Sequence, residues 1–304
     1  MSKQCPICLN RDVELVQDEI HGGVGTNVFR CHECDLDFLE TWDDADYVKS
    51  LYAGDNYVFG HNISKDSNQP LKYDEYRIRY EWLKPHLDKN TTLLEIGCGD
   101  GKFLNMVRDD VSLAEGVELS PPQVEKLRAE GFTCHDVMIN EMEAPRQYDV
   151  VCMFALLEHV PNVRDFLTSL KSYLHRDSHI FFEVPNLNDA LVSGVDIEAF
   201  RNFYYRPIHL YYFTPNSLKK LLNQAGFKCT IHTSQQASIT NHFHWMHNRS
   251  GQPNANCMTS VHPPVSLFEK LPMAAILEKV DDYYRHLLEE NLMGDLLSAH
   301  ARLM

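Results

Sequence analysis

The 304-residue sequence predicts an α/β protein built on a doubly wound, seven-stranded Rossmann-like sheet with helices on both faces. Two observations predict this class. Short apolar, strand-like runs alternate with helix-like segments from residue 91 onward, and a glycine-rich turn follows the first of those strands. Two C-x-x-C pairs near the amino terminus add a small metal module. We therefore expect a zinc ribbon at 1–45, a tyrosine-rich lid and helix at 46–90, and the α/β domain at 91–304.

The composition is that of a globular protein, with 44% hydrophobic and 23% charged residues. The net charge of −15 lowers the expectation of nucleic acid or an anionic membrane as a partner, because an anionic surface repels phosphates. No apolar run approaches the ~18 residues that span a bilayer. The first ten residues hold no apolar signal core. We expect a cytoplasmic protein with no membrane partner.

The amino-terminal module carries four cysteines in two knuckle-like pairs, Cys5/Cys8 and Cys31/Cys34. Four thiolates give Zn²⁺ a closed tetrahedral site, which is typical of a structural rather than a catalytic metal. The alternative is two unconnected pairs of buried thiols. Residues 1–45 contain three basic and ten acidic residues, so this ribbon lacks the basic face of a nucleic-acid reader.

Residues 46–90 contain Tyr52 and Tyr57, followed by a loop and a predicted helix at 71–86. The two tyrosines could form a lid or stack on a ligand ring. Packing between the ribbon and the α/β domain explains them equally well.

From residue 91, strands and helices alternate in order. Helices are expected to start at 102, at Ser120–Pro121, at 163 and at Thr214–Pro215, where Gly226 ends the last of them. Strands are expected at 92–96, 113–119, 132–137, 148–153, 179–184 and 228–233.

The carboxyl-terminal part predicts a helix at 273–293 and a closing strand after Gly294. Residues 234–294 then form a helical excursion between the last two strands. Its long helix packs on the domain or forms a homodimer face.

The glycine turn contains Gly97, Gly99 and Gly101, and Glu118 ends the next strand 21 residues after Gly97. Glycines at this place let a ligand approach the backbone, and a carboxylate after the second strand can accept hydrogen bonds from a ribose diol. Lys102 stands where a dinucleotide fingerprint has a third small residue, so that class is disfavoured.

With these residues in place, the sequence resembles the class I S-adenosylmethionine-dependent methyltransferases over about residues 75–230. The segments that carry the resemblance are 94–101, 116–120, 135–137, 148–160, 182–186 and 209–214. The resemblance implies that Gly97, Gly99 and Gly101 line the methionine part of the cofactor and that Glu118 holds its ribose. It also implies that Asp136 and Val137 contact the adenine and that Phe154 forms the far wall of the cofactor site. Glu95 is expected behind the glycine turn.

The whole chain is similar to bacterial small-molecule methyltransferases with an amino-terminal four-cysteine zinc module. Members of that group methylate nucleotide-linked sugars or act in capsule and O-antigen pathways. The resemblance implies S-adenosylmethionine and structural Zn²⁺ as cofactors, and a small polar acceptor, a carbohydrate above all. The second Rossmann-like domain of the sugar C-methyltransferases has no room here, so we expect O- or N-methylation.

A hydroxyl acceptor needs a base, and histidine is the first candidate because its pKa lies near neutrality. The resemblance places Glu158 and His159 beside the methyl group, and His209 is a second candidate for the base. Either histidine could instead be a packed structural residue. Asn241, His242 and Trp245 could line the acceptor pocket from the excursion or merely cap the sheet edge.

Two other functions compete with a small-molecule methyltransferase. One is a ribosomal RNA base methyltransferase with a zinc ribbon, which the net charge of the chain disfavours. The other is a binding or scaffold protein that keeps the fold, which the intact cofactor motifs disfavour.

Overall fold

The computed structural model describes residues 4–18, 20, 26–43, 75–142, 146–249 and 273–304. The predicted ligands Tyr52 and Tyr57 therefore lie outside the described residues, as does most of the predicted lid.

The main sheet has seven strands, as predicted, in the spatial order β10-β11-β8-β7-β4-β5-β6. The five strands from β6 to β8 pair in parallel, and the last strand of the chain enters antiparallel between β8 and β10. The carboxyl ends of the parallel strands therefore meet at one edge, where an open α/β sheet binds its ligands. The strands of this sheet are β4 (Thr92–Ile96), β5 (Leu113–Val117), β6 (Thr133–His135), β7 (Tyr148–Phe154), β8 (Leu174–Pro185), β10 (Phe227–Ser234) and β11 (Leu296–Leu303).

Helices flank both faces of this sheet, and local signals explain where several of them begin. Thr214 caps its helix through a reciprocal capping box with Ser217, and Gly226 follows the helix with a positive φ of 83°. The helices are α1 (Glu75–Leu83), α2 (Lys102–Val107), α3 (Pro121–Ala129), α4 (Val163–Leu170), α5 (Glu198–Tyr204), α6 (Pro215–Gln224), α7 (Ile239–Asn248) and α8 (Met273–Glu290).

A second sheet contains the ribbon strands β1 (Val13–Gln17), β2 (Val28–Cys31) and β3 (Asp37–Leu39). Its fourth strand, β9 (Tyr211–Tyr212), comes from the α/β domain and pairs antiparallel with β3. One cluster of buried apolar side chains extends from the ribbon into the domain core. The ribbon is thus joined to the rest of the fold by backbone pairing as well as by packing.

Helices α7 and α8 belong to the excursion before β11, so the predicted helical insertion and closing strand are confirmed. Among the helices that the structure describes, none combines the length and apolarity that a bilayer crossing requires.

Candidate functional site

The four ribbon cysteines converge. The Sγ atoms of Cys5 and Cys34 lie 3.5 Å apart, those of Cys8 and Cys31 lie 3.4 Å apart, and all four lie within 4.8 Å of one another. Zn–S bonds of about 2.3 Å place tetrahedral sulfurs about 3.8 Å apart, so the donor set fits Zn²⁺. Four thiolates fill the coordination sphere, which leaves a structural role.

Both knuckles end in the same backbone conformation. Leu9 and Asp35, each directly after the second cysteine of its pair, have positive φ values of 62° and 58°. This left-handed turn is uncommon outside glycine, and its repetition at equivalent positions indicates that the knuckle geometry imposes it. The sequence does not predict these left-handed turns, because neither position is glycine.

The glycine turn lies at the carboxyl edge of the main sheet. Gly97 and Gly101 both have φ of 75°, and a Cβ on Gly101 would lie 2.1 Å from Leu127 Cδ2. A Cβ on Gly99 would meet nothing within 4 Å among the residues that the structure describes. Within that part of the chain, Gly99 leaves space where the resemblance puts the methionine part of the cofactor.

Glu118 is buried at the end of β5 and holds this turn in place. Its Oε2 accepts a hydrogen bond from the Gly99 amide at 2.9 Å, while its Oε1 accepts from the amides of Leu119 and Ser120. The carboxylate thus fixes the loop between the two strand ends and lies where a ribose acceptor is expected.

The expected adenine residues differ in environment. Asp136 is exposed, and Arg128 lies 3.1 Å from its carboxylate and lowers its pKa through a hydrogen bond. Val137 is half-buried beside it. Phe154 is buried at the end of β7 and packs edge-on against Phe103 at 5.0 Å.

A buried ion pair, which sequence reasoning missed, lies beside Phe154. Arg79 of α1 is buried, donates from Nε to Glu183 Oε1 at 2.9 Å, and lies 4.8 Å above the Phe154 ring. The available signal was Arg79 on the helix face shared with Tyr76 and Leu83, because a cation on a buried face requires a carboxylate partner. Its partner lies 104 residues away in sequence.

Behind the glycine turn, Glu95 is buried, and its Oε2 has no hydrogen-bond partner among the described residues. Burial raises its pKa to about 8 although Arg79 acts in the opposite direction. Glu95 is therefore largely protonated at neutral pH.

Glu158, His159 and His209 meet just beyond β7. One ligand-type atom from each lies within 4.8 Å of the others, and the two imidazole rings contact edge to face at 4.9 Å. Glu158 is 1% exposed, and neither of its carboxylate oxygens has a hydrogen-bond partner within the described part of the chain. Burial raises its pKa to about 8.

The orientation of His159 is set by a backbone carbonyl. His159 Nδ1 lies 2.7 Å from the Ile208 oxygen, which can only accept, so Nδ1 carries the hydrogen. Nε2 then keeps its lone pair and lies 3.8 Å from Glu158 Oε1. Burial lowers the pKa of His159 to about 4, and Arg206 contributes to this shift.

His209 occupies a loop that the ribbon sheet stabilises. Burial lowers its pKa, with His159 and Arg206 adding repulsion. The neighbouring Leu210 amide donates to the Glu158 carbonyl at 2.8 Å, and the Leu210 carbonyl accepts from Leu39 of the ribbon at 3.0 Å. The ribbon and Glu158 are therefore linked through Leu210, the residue after His209, by consecutive backbone hydrogen bonds.

The three excursion residues are buried. Trp245 packs edge-on against Phe200 at 5.0 Å, and His242 Nδ1 lies 2.6 Å from the Tyr284 hydroxyl. Asn241 is 2% exposed. This placement fits packing inside the excursion, and a role at the acceptor stays a prediction.

Comparison with known proteins gives a family. The family described as "Methyltransferase domain" matches residues 69–232. A tRNA U34 carboxymethyltransferase from Cronobacter sakazakii is 28% identical over 187 residues, 56% of this chain and 53% of that protein, so the match spans about half of the relative. A ubiquinone biosynthesis O-methyltransferase from Acinetobacter baylyi is 22% identical over 61% of this chain and 82% of its own length.

Among solved structures, a SAM-dependent methyltransferase from Archaeoglobus fulgidus is 17% identical and covers 74% of this chain and 92% of its own, with a TM-score of 0.49. The family match covers more than half of the chain and contains the glycine turn, Glu118 and the Glu158–His159 pair. The chain therefore belongs to the class I S-adenosylmethionine-dependent methyltransferases.

Proposed function

We propose that this protein transfers a methyl group to a hydroxyl or amine of a small polar acceptor, a nucleotide-linked or surface-polysaccharide sugar. The observation that carries the proposal is the pairing of the glycine turn with Glu158, His159 and His209 beyond the same sheet edge. S-adenosylmethionine, bound by the turn and Glu118, would supply an electrophilic methyl group. The chain's own residues then need only orient the acceptor and take its proton.

His159 is the proposed proton acceptor. Its Nε2 keeps a lone pair, and its lowered pKa keeps the ring neutral at pH 7. An acceptor hydroxyl within hydrogen-bond reach of Nε2 could lose its proton as the methyl bond forms. An amine acceptor carries its own lone pair and depends less on this residue. The O-methyltransferase name of the Acinetobacter relative favours oxygen.

Arg206 supports an acceptor that carries negative charge. Its guanidinium is half-buried, packs 4.7 Å above Phe203, and lowers the pKa of both His159 and His209. No carboxylate of the described residues forms an ion pair with it, in contrast to Arg79 and Arg285. A phosphate or carboxylate of the acceptor would supply the missing anion, and a guanidinium suits either.

The charge of the protein disfavours the RNA alternative. The net charge is −15 and the ribbon is acidic, whereas RNA recognition gains much of its affinity from neutralised phosphates. The Cronobacter relative is named a tRNA carboxymethyltransferase, so RNA is a necessary arm of any substrate test.

In the experiment, the purified chain is incubated with labelled S-adenosylmethionine and one of three acceptor classes. These are nucleotide sugars, hydroxylated aromatic acids and total RNA. We expect incorporation into a nucleotide sugar. Arg206→Gln should raise the acceptor KM about tenfold or more with little change in cofactor affinity, because a charge-assisted contact contributes about 1.5–3 kcal/mol.

Arg201→Gln is the matched control, because Arg201 is half-buried nearby in sequence and already pairs with Asp196. Faster methylation of RNA than of the sugars would overturn the acceptor class. An unchanged KM in the Arg206 variant would remove the anion argument while leaving the methyltransferase activity intact.

A further inference from the structure

Three histidines converge outside the cofactor crevice. His86 ends the short turn after α1, His179 lies on β8 and His300 lies on β11. One ring nitrogen from each lies within 4.8 Å of the others, and His179 Nδ1 lies 2.8 Å from His300 Nε2. Three separate elements thus bring imidazole nitrogens to one point.

The sheet register places this cluster away from the active site. His179 pairs with Val150 near the start of β7, whereas Glu183 pairs with Phe154 at its end. Four residues along a strand separate the two positions by about 13 Å. The cluster is therefore distinct from the Glu158, His159 and His209 group.

Packing holds the rings in place. The His300 ring stacks on Phe181 with centroids 4.7 Å apart and an interplanar angle of 6°, and the His86 ring lies 5.4 Å from the same phenyl ring. His86 and His179 contact each other at 4.2 Å. The ligands are thus partly pre-organised, which lowers the entropic cost of binding an ion.

The cluster is also accessible. All three histidines are half-buried, and His300 lines a surface cavity of about 930 Å³. Arg176, Lys228 and Arg302 line the same cavity, and Asp177 lies 3.6 Å from the Arg302 guanidinium and offsets part of this positive charge.

We propose that His86, His179 and His300 form a second metal site, which binds a first-row transition-metal dication such as Zn²⁺. Metal–nitrogen bonds of about 2.0–2.1 Å place tetrahedral ligands about 3.4 Å apart. The nitrogens of His179 and His300, which share a hydrogen bond at 2.8 Å, would therefore give up that bond and separate slightly to bind the ion. Imidazole is a preferred ligand of these ions, and three histidines leave one position for water.

The site joins the end of α1 to the two strands β8 and β11. Helix α1 carries Arg79, whose guanidinium pairs with Glu183 above Phe154. A bound ion would therefore fasten this helix to the sheet, and metal binding should raise the melting temperature by mass action.

The experiment first loads the full chain with one equivalent of Zn²⁺, which the four thiolates take up, and then titrates it with Co²⁺. Co²⁺ binds more weakly than Zn²⁺ and should leave the ribbon ion in place. We expect one additional Co²⁺ per chain with d–d absorption bands and no thiolate charge-transfer band. His179→Ala, His300→Ala and His86→Gln should each weaken this binding at least tenfold and abolish the Co²⁺-dependent rise in Tm. His86→Gln keeps a side chain of similar size in a surface turn, so it guards against loss of folding.

His247→Ala on α7 is the matched control, an exposed histidine outside the cluster, and should bind Co²⁺ as the wild type does. Three results would overturn the proposal: no second equivalent of Co²⁺, equal affinity in every variant, or cobalt bound only with thiolate bands.

Discussion

The backbone carbonyl of Ile208 determines which ring nitrogen of His159 can accept a proton. Because Ile208 oxygen accepts from Nδ1, Nε2 is free to take a proton. With a hydroxyl acceptor, His159→Ala should lower turnover about 10²–10⁴-fold, the usual contribution of a general base. Steady-state kinetics measure this loss, and calorimetry should show nearly unchanged cofactor affinity.

The neighbouring ring is the control for this role. His209→Ala, assayed beside His159→Ala, should lose less turnover if His159 is the base. A large loss at 209 with near-normal activity at 159 would transfer the role to His209.

The buried carboxyl of Glu158 should make the stability of the protein depend on pH. Its folded pKa of about 8 exceeds the ordinary value of 4.5, so the folded state binds more protons between these limits. Its contribution to the free energy of unfolding is fully present below pH 4.5 and is lost as pH rises through about 8. The free energy of unfolding should therefore fall less between pH 5 and pH 8 in Glu158→Gln than in the wild type, by a few kcal/mol. Urea unfolding at the two pH values measures this difference.

Glu81→Gln serves as the comparison, because Glu81 is exposed on α1 and its substitution should leave the slope unchanged. Parallel pH curves for the wild type and Glu158→Gln would contradict the protonated state assigned to Glu158.

The residues that sequence reasoning identified share a local signal. The cysteine pairs and the glycine turn lie within a few positions of each other, so their spacing alone indicates the chemistry. Arg79 and Glu183 lie 104 positions apart, and the Ile208 carbonyl lies 49 positions from His159. Such pairs exist only once the sheet has brought distant segments together, and one sequence carries no pattern for them.

At the scale of elements, β9 was the least expected feature. Its two residues follow His209 and Leu210 and extend the ribbon sheet, although the sequence offers only an aromatic run there. The alternation of strands and helices predicts a doubly wound, mostly parallel sheet but not the order of its seven strands. The pairing of β3 with β9 spans more than 170 residues and depends on how the ribbon docks, so periodicity could not predict it.

Strand β9 also fixes the loop that holds Arg206. The Tyr212 hydroxyl accepts from the Arg206 amide at 2.7 Å and donates to its carbonyl at 2.8 Å. Tyr212→Phe removes both bonds, and displacement of this loop should lower kcat about tenfold or more, because small misplacements of reacting groups are costly. Methyl-transfer kinetics and zinc content, measured together, test this expectation.

The zinc held by the ribbon should stay at one atom per chain in that variant, since the cysteines are untouched. Tyr283→Phe, at an exposed position on α8, should behave as wild type. Loss of zinc in Tyr212→Phe would show that the hydroxyl supports the ribbon rather than the loop.

At the scale of the whole molecule, the ribbon and the methyltransferase domain share one apolar core. Cys5, Val28 and Phe38 belong to the same buried cluster as Leu94 and Val151 of the central strands. The ribbon also reaches the domain through buried Asp37, which accepts two hydrogen bonds from Arg30 and one from Tyr205. Burial raises the pKa of Asp37, although the hydrogen bonds from Arg30 and Tyr205 act in the opposite direction. A structural metal placed in such a core stabilises more than its own module.

This shared core predicts that zinc removal lowers the stability of the entire protein. Scanning calorimetry should show one cooperative transition for the zinc-loaded chain, and Cys34→Ser should move that whole transition to lower temperature, because ribbon folding depends on the metal. Cys229→Ser is the matched control, since Cys229 lies on β10 outside the metal cluster and its loss should leave both zinc content and Tm nearly unchanged. Two separate transitions, with only the smaller one sensitive to Cys34→Ser, would instead mean that the ribbon unfolds independently. In that case the hydrogen bonds from Leu39 through Leu210 to Glu158 could not transmit ribbon integrity to the active site, and Cys34→Ser should leave kcat unaltered below the first transition.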